Sequence, residues 1–334
     1  MTNYPVLKRK ALFFFILFYI HTAHSQKDRP HKNFFRLYAD NDALILSENA
    51  TDWGYTSGSR IDFFYTASKS RSDFFSPLNQ FAGPNRITTK GWGLMQMIIA
   101  PQKTSLVVPD KNDYPYAGAL FAVHTVHFTN VVKKINLQSE WIIGMMGPPS
   151  FAKQTQSFFH HLIGDPPPMG WSYQLPADLL LNYNIKAEKL LTGDKSIGLV
   201  GSGELFFGSM TDGLSLHILL QVGKKNRNNF TGLTSQFFTA KKTSFSFSLK
   251  ATTDLILYNA LLQGGLFNSK SPVRKSNSIY GTDLQRKKIT GSLDLFILFS
   301  TQKFAVSLTQ KMISSEFKKY GSHCIGNISI YKTL

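Results

Sequence analysis

Apolar and polar residues alternate along most of this chain, in segments of about ten residues separated by polar connections. The alternation is clearest in residues 137–145, 245–249 and 293–299. A period of two is typical of β-strands that have one apolar and one polar face. It predicts twelve strands: Phe34–Tyr38, Arg60–Ala67, Trp92–Ala100, Ala119–Thr129, Ile135–Met146, Leu179–Lys189, Ile197–Phe206, Leu214–Val222, Thr243–Tyr258, Ile289–Phe299, Phe304–Lys311 and Ile325–Tyr331.

An even number of such strands is typical of transmembrane barrels. Only closed barrels leave no unpaired strand edge in lipid, and no stretch after the first twenty-five residues is long enough for a transmembrane helix. We therefore predict an all-β fold, a transmembrane antiparallel β-barrel of about 12 strands in the bacterial outer membrane. A secreted β-sandwich is the competing fold, but the low charge density along the strands favours the barrel.

The first residues have the three parts of a secretory signal. Lys8-Arg9-Lys10 is followed by the apolar run Ala11–Ile20 and by the small-residue site Ala23-x-Ser25. The apolar run is too short to span a bilayer as a helix. We predict a signal peptide at 1–25 and one outer-membrane β-barrel domain at 26–334.

The chain is strongly basic, with 37 Lys and Arg against 20 Asp and Glu and a formal net charge of +17. The signal segment has three basic and no acidic residues, so its removal leaves +14. An exported basic protein is suited to an anionic membrane surface rather than to nucleic acid. The single cysteine, Cys324, has no partner for an intramolecular disulfide.

One segment, Gly147–Gln174, departs from the strand pattern and predicts a short helix. Ser150 is expected as its N-cap and Gly164 as its C′ residue, and the three prolines that follow end it. Four-residue spacing places Gln156 and His160 on one face. An apolar stripe beside them contains Phe151, Thr155, Phe158, Phe159 and Leu162. On these residues alone, His160 is more often a buried structural residue than a catalytic one.

Oxygen-rich side chains follow the first predicted strand, in Asp40-Asn41-Asp42 and then in Asp52–Gly58. Carboxylate, amide and hydroxyl oxygens are the ligands that calcium prefers, although the same residues are common in turns. Their spacing does not fit an EF-hand loop. The chain also has no Walker loop, HExxH helix, CxxC pair or GxSxG elbow.

Five motifs occur in order along the chain: Asp-Asn-Asp with D-x-x-Y-T-x-G (Asp40–Gly58), P-Y-A-G (Pro115–Gly118), G-P…Q-x-x-x-H-x-x-x-G…G-W-x-x-Q (Gly147–Gln174), L-Q-G-x-L-F (Leu262–Phe267) and S-E-F (Ser315–Phe317). In this order they resemble the outer-membrane lipid A 3-O-deacylase family over nearly the whole mature chain. The resemblance implies a twelve-stranded barrel with a helix in an extracellular loop and an active site between that helix and the barrel wall. It also implies calcium-dependent removal of the ester-linked acyl chain at the 3′ position of lipid A.

The resemblance assigns roles residue by residue. The implied catalytic residues, all expected at one barrel rim, are His160, Gln156, Asn41, Asp42 and Thr56. Asp42 and Asp165 are the implied calcium ligands. The match to Asp165 is inexact, because the family's acidic residue after H-x-x-x-G is either displaced by one position onto Asp165 or missing. A basic residue that the family uses between its third and fourth strands has only Lys103 and Lys111 as candidates.

The chemistry of these residues is consistent with ester hydrolysis. No activated serine or cysteine is evident, so water is the expected nucleophile, with His160 as its base and Gln156 orienting water or substrate. Calcium held by Asp42 would polarise the ester carbonyl, and the apolar stripe would receive acyl chains. The expected partner is lipid A or lipopolysaccharide. Two alternatives stay open: an outer-membrane phospholipase A, which would normally pair a serine with histidine, and a non-enzymatic channel or scaffold.

Overall fold

The computed structural model describes residues 33–41, 44, 54–66, 78–193, 196–223, 243–268, 285–318 and 320–334. Twelve antiparallel strands form a closed barrel in which each strand pairs with its sequence neighbours and the last strand pairs with the first. The strands are β1 Asn33–Asn41, β2 Gly54–Thr66, β3 Arg86–Ala100, β4 Ala117–Asn130, β5 Ile135–Met146, β6 Asp178–Gly193, β7 Ile197–Gly208, β8 Thr211–Gly223, β9 Ser244–Asn259, β10 Ile289–Ser300, β11 Phe304–Ile313 and β12 His323–Thr333. The predicted all-β barrel of twelve strands is confirmed. The predicted signal peptide lies outside the described residues.

Within the described residues, α-helices lie in three of the connections: α1 at Asn79–Ala82, α2 at Ala152–Ile163 and α3 at Ala260–Gln263. Among the described residues, no helix has the length and apolar character needed to cross a membrane. Connections at one end of the barrel contain α2 and α3, and we call this the helix end. Three of the five connections at the other end are short, at residues 131–134, 194–196 and 301–303, as periplasmic turns are. We therefore assign the helix end to the outer surface.

Side chains along the strands alternate between an apolar outer face and a polar lumen. On β10, Leu293, Leu295 and Ile297 are 46%, 57% and 40% exposed, whereas Asp294 between them is buried. Residues Phe245, Phe247 and Leu249 of β9 are outward and exposed in the same way. This arrangement confirms the predicted period of two, and an apolar outer belt suits contact with lipid.

The lumen contains a chain of buried ion pairs. Asp62 accepts from two guanidinium groups, Arg36 Nη2 at 2.7 Å and Arg60 Nε at 2.8 Å. Arg60 Nη2 reaches Glu140 Oε2 at 2.9 Å, and the Thr125 hydroxyl donates to the same oxygen at 2.7 Å. Each charge is thus compensated by an opposite charge, which buried ionic groups require.

Buried side chains also fill the lumen at both ends. Near the chain termini, the rings of Phe34 and Phe64 stack with centroids 4.8 Å apart, and Tyr331 packs in the same cluster. At the helix end, a larger cluster includes Tyr114, Leu175, Leu261, Leu262 and Phe317, each no more than 2% exposed. Packed apolar and aromatic side chains therefore occupy both ends of the lumen.

Replacing Asp62 by alanine is expected to destabilise the barrel by about 3 to 5 kcal/mol, because it leaves two buried guanidinium groups without this carboxylate. The measurement is the temperature at which the folded, faster-migrating band is lost on a semi-native gel. Asp110→Ala, in an exposed loop, is the control and is expected to change stability by about 1 kcal/mol or less. Equal transition temperatures for the two variants would show that the lumen pairs do not stabilise the fold.

Candidate functional site

Helix α2 packs against the outer wall of the barrel. Alternate residues of β3 face outward, as the 54% exposure of Leu94 indicates, and Ile98 and Ala100 belong to this set. They form a buried cluster with Tyr116, Ala152 and Trp171. A Cβ on Gly118 of β4 would lie 2.1 Å from the Ala152 Cβ. The helix therefore lies on the outward face of β3 and β4, and its close approach requires glycine at 118.

The start of α2 differs from the prediction by one residue. Ser150 lies in a 3-10 turn, Pro148–Ser150, where its hydroxyl donates to the Gly147 carbonyl at 2.6 Å. Phe151 is the N-cap instead, in a left-handed conformation with φ of 58°. The prediction of Ser150 as N-cap is wrong because the Pro148-Pro149 pair forms a tighter turn before the helix begins. Gln96 Nε2 donates to the Ser150 carbonyl at 2.7 Å and fastens this turn to β3.

A Schellman motif ends α2, and its geometry brings the chain back over the helix. Gly164 has a φ of 74°, and its N–H donates to the His161 carbonyl at 3.2 Å. The Asp165 N–H donates to the His160 carbonyl at 2.8 Å. These are the two bonds of the motif, with glycine at C′ as predicted. The reversal places the Pro166 carbonyl beside the His160 ring.

His160 is 8% exposed, and its Nδ1 lies 2.8 Å from the Pro166 carbonyl oxygen. A carbonyl oxygen only accepts hydrogen bonds, so in this contact Nδ1 must carry a proton. In the neutral ring the lone pair then lies on Nε2. The backbone thus selects the tautomer in which Nε2 is able to take a proton.

Gln156 lies one turn before His160 and is 4% exposed. The Trp171 Nε1–H donates to Gln156 Oε1 at 2.8 Å, and because an indole nitrogen only donates, this bond fixes which way the amide points. Gln156 Nε2 is buried and has no hydrogen-bond partner among the residues that the structure describes. The sequence motif G-W-x-x-Q contains Trp171, but the sequence alone did not assign the tryptophan a role.

The side of α2 that packs on the barrel wall contains Ala152, Gln156 and His160, the three buried residues of the helix. The predicted apolar stripe does not pack there. Its large members are exposed to 57%, 62%, 42% and 50%, at Phe151, Phe158, Phe159 and Leu162 respectively. The polar pair therefore occupies the space between helix and wall, and the apolar stripe faces outward.

Asn41 and Thr56 lie on the neighbouring strands at the same rim. Asn41 ends β1, pairs with Ser57 of β2 and belongs to the outward set that includes Leu37, 48% exposed. Thr56 occupies a β-bulge, because the pairing of β2 with β3 skips it between Tyr55 and Ser57. Ser57 in turn pairs with Ile98, which packs in the α2 cluster. The structure thus places Asn41, Thr56, Gln156 and His160 at one rim.

The proposed calcium ligands are only partly within the described residues. Asp42 lies outside them, and Asp165 is half-buried directly after α2. Where the structure is described, no three His, Cys, Asp or Glu side chains converge as a metal site. The oxygens at this rim do suit calcium chemically: the Asn41 amide, the Asp165 carboxylate and the main chain of Thr56, which has no register partner on β3. These groups are hard oxygens, the kind of ligand that calcium prefers.

Two further motifs of the sequence hold the loops at the helix end. Within Leu262–Phe267, the Phe267 N–H donates to Asp178 Oδ2 at 2.9 Å, and a Cβ at Gly265 would clash with that carboxylate. Within Ser315–Phe317, Glu316 accepts from the Tyr114 hydroxyl at 2.7 Å. Burial, together with the Glu316 carboxylate, raises the pKa of Tyr114 well above its ordinary value, so the phenol remains a donor. These motifs are therefore structural.

Comparison with known proteins identifies the family. The model of the family described as "Outer membrane protein LpxR" matches residues 12–334. The chain belongs to the LpxR family. The structure of LpxR from Salmonella typhimurium is similar with a TM-score of 0.68 and 16% sequence identity, covering 90% of this chain and 100% of that one. This likeness shows that the LpxR barrel fold is shared.

Two further solved structures match at lower TM-scores. The β domain of the Bordetella autotransporter BrkA matches with a TM-score of 0.46 and 6% identity over 92% of this chain and 100% of its own. The translocator domain of the autotransporter NalP from Neisseria meningitidis matches with a TM-score of 0.41 and 8% identity over 98% and 94%. No curated protein matches the chain in sequence. Membership of the LpxR family confirms the resemblance found in the sequence and supports location in the outer membrane.

Proposed function

We propose that this LpxR family member is a calcium-dependent outer-membrane ester hydrolase that removes the 3′-O-linked acyl chain from lipid A. The observation that carries the proposal is the setting of His160, whose Nδ1 is held by the Pro166 carbonyl 2.8 Å away on a helix packed against the outer wall. Nε2 is then the nitrogen that can accept a proton, on a mostly buried side chain between the helix and the outer wall. Family membership supports lipid A as the substrate.

The proposed reaction begins when His160 Nε2 takes a proton from water as the water oxygen attacks the acyl carbonyl carbon. The bond from this carbon to the sugar oxygen then breaks, and the imidazolium returns its proton to the leaving sugar oxygen. The products are a free fatty acid and a sugar hydroxyl. The Pro166 carbonyl stabilises the imidazolium between these steps, because it accepts the Nδ1 proton throughout.

Gln156 supplies a hydrogen-bond donor beside His160. Its Nε2 is buried without a partner in the described part of the chain, and an unsatisfied buried donor is costly in the absence of a ligand. An ester carbonyl or the attacking water would satisfy it. Because Trp171 holds the amide oxygen, the orientation of the amide, and with it the position of the Nε2 donor, is fixed. We assign Gln156 to orientation and to stabilising charge on the carbonyl oxygen.

Calcium would be held by oxygens of Asn41, Thr56, Asp42 and Asp165. When bound, it would polarise the ester carbonyl and stabilise the developing negative charge. Asn41 and the bulge at Thr56 contribute neutral oxygens, so the carboxylates of Asp42 and Asp165 would balance the charge of the ion. The displaced Asp165 is tied by its main chain to the His160 carbonyl, which keeps it next to the catalytic helix.

The alternatives receive less support. A phospholipase of the serine type would need a serine hydroxyl that is hydrogen-bonded to His160. Ser150, just before the helix, instead donates its hydroxyl to the Gly147 carbonyl. A channel would need an open lumen, whereas this lumen contains paired charges and two buried clusters. Both observations favour chemistry on the outer wall.

Mass spectrometry of lipid A from cells with and without the gene tests the proposal. Loss of one 3′-linked acyl chain that depends on the gene is the expected result. Release of lysophospholipid with unchanged lipid A would instead identify a phospholipase. Unchanged lipids with altered permeability would identify a channel and overturn the proposal.

Removing calcium is expected to abolish fatty-acid release from lipid A by the purified protein. The described partners of His160 and Gln156 are the Pro166 carbonyl and Trp171, neither of which is cationic. A bound calcium ion would therefore supply the positive charge that stabilises the carbonyl oxygen in the reaction. The measurement is activity after treatment with a chelator and again after added calcium or magnesium. Recovery with calcium is expected, because flexible oxygen sets with several ligands favour the larger ion. Full activity in the chelator would exclude the metal.

Trp171→Phe is expected to lower kcat roughly three- to tenfold with little change in KM, because it removes one hydrogen bond that orients Gln156. The ring remains to pack against Tyr116, whose centroid lies 4.9 Å away. Tyr116→Phe is the matched control, since its hydroxyl donates to the Thr104 carbonyl and not to Gln156. If both variants change kcat equally, or if Trp171→Phe changes only KM, Trp171 does not position the amide.

A further inference from the structure

Helix α2 has three distinct sides. Residues follow one another at 100° around a helix, so the sides can be assigned from sequence position. One side packs on the barrel wall through Ala152, Gln156 and His160. A polar flank contains Lys153, Gln154, Ser157 and His161. The third side, which we call the apolar flank, contains Thr155, Phe158, Phe159 and Leu162.

The apolar flank is exposed although its residues are large. Phe158 and Phe159 are 62% and 42% exposed, their rings pack edge to face with centroids 5.7 Å apart, and Leu162 is 50% exposed. Contiguous exposed apolar surface of this kind marks an interaction site. The separation of polar and apolar residues onto opposite flanks is the pattern of helices that lie in a membrane interface.

The position of α2 identifies what contacts this flank. The helix lies on the outward face of β3 and β4 and connects β5 to β6. Outward residues at the adjoining ends of those strands are apolar and exposed, with Ile143 at 53%, Met145 at 43% and Leu179 at 43%. These residues belong to the apolar belt of the barrel, so the belt continues up to the base of the helix. The lipid that contacts the belt is therefore next to the apolar flank.

We propose that the apolar flank of α2 is a lipid-contact surface occupied by acyl chains of the outer leaflet. The helix then lies in the membrane interface, with its polar flank toward the head groups and its apolar flank toward the hydrocarbon. Interfacial helices bury their apolar side about 5 to 10 Å into this boundary, where acyl esters lie. The contact holds His160 at the depth of the bond to be cut. The last statement rests on the proposed function, but the lipid contact does not.

Spin labelling tests the contact without reference to activity. In a Cys324→Ser background, Phe158→Cys reports the apolar flank. Lys153→Cys is the matched control, because Lys153 is exposed on the polar flank and lies about 140° around the helix from Phe158. Both labelled proteins are placed in vesicles of phosphatidylethanolamine and phosphatidylglycerol that lack lipid A. The expected result is a higher ratio of oxygen to nickel-chelate collisions at position 158 than at 153, as in hydrocarbon.

Three results would overturn the proposal. Equal, water-like collision ratios at both positions would place the flank outside the membrane. A hydrocarbon-like ratio at 158 that arises only after lipid A is added would identify the flank as part of the substrate site. Dipolar broadening between labels at 158 would show that a second copy of the chain covers it.

A second measurement tests whether the lipid contact sets the depth of His160 in the membrane. Phe158→Ser with Leu162→Ser is expected to lower activity on bilayer-embedded lipid A about tenfold, with little change on the same substrate dispersed in detergent. Gln154→Ser is expected to change neither. Equal loss in both substrate forms would mean that the flank acts on the folded site and not on membrane depth. Absence of hydrolysis by the unaltered protein would refute the proposed function, while the spin-label result would still decide the lipid contact.

Discussion

Replacing His160 by asparagine is expected to lower kcat for release of fatty acid from lipid A by about a thousandfold. Asparagine is polar and of similar size, so the end of α2 is expected to form as before, but its amide cannot take a proton from water at neutral pH. The Schellman bonds involve the main chain of His160 and survive the substitution. The loss therefore measures the proton transfer rather than the position of the helix.

His161→Asn is the matched control for this variant. His161 is the next residue, lies on the exposed polar flank and contributes its main-chain carbonyl to the same motif. Its substitution is expected to leave kcat unchanged. Folding of both proteins is checked by gel migration before and after heating. If His160→Asn retains more than about a tenth of the activity while folded, a loss smaller than general bases produce, His160 is not the base.

Gly118→Val is expected to lower activity about a hundredfold while the barrel still folds. A Cβ at 118 would lie 2.1 Å from the Ala152 Cβ and 2.5 Å from the Ser150 Oγ, so the start of α2 must move away from the wall. A displacement of about 1 Å is enough to cost this much in a positioned active site. Strand pairing of β4 with β3 and β5 does not involve the side chain at 118 and is expected to persist.

Gly203→Val tests whether the effect is specific to the helix. Gly203 lies on β7, where a Cβ would make only an ordinary contact, 3.5 Å from Leu216 Cδ2. This variant carries the same added side chain on the same kind of surface and is expected to keep its activity. Comparable activity for Gly118→Val and Gly203→Val would show that close packing of α2 on the wall is not required.

The barrel was predictable because a single physical rule governs its strands. Each residue of β10 faces either lipid or lumen, so the sequence alternates with period two, and an even number of strands closes without an edge. Strand ends were less predictable. β6 extends from Asp178 to Gly193, beyond the predicted Leu179–Lys189, because main-chain pairing continues through polar residues and glycine without any apolar signal.

The candidate site was predictable where it depends on local spacing. The positions of Gln156 and His160 on one face, and of Gly164 at the helix end, follow from helix geometry and the prolines. Periodicity identifies the apolar stripe but not which side of α2 the barrel covers, since that depends on packing with β3 and β4. The bond from Trp171 to Gln156 and the bulge at Thr56 also arise from tertiary contacts that no local pattern encodes.

The chain reversal at the end of α2 holds both His160 and Asp165 in place. The main-chain carbonyl of His160 accepts from Asp165, and its side chain contacts Pro166, so both bonds depend on the same reversal at Gly164. Local fraying of this turn would break the bond that fixes the tautomer of His160, the proposed base. It would also free Asp165, a proposed calcium ligand, from the helix. Terminal turns open at a lower free energy than a closed β-ladder. We therefore expect thermal inactivation to be a local transition that precedes melting of the barrel, with the temperature of inactivation set by a few residues on the outer wall.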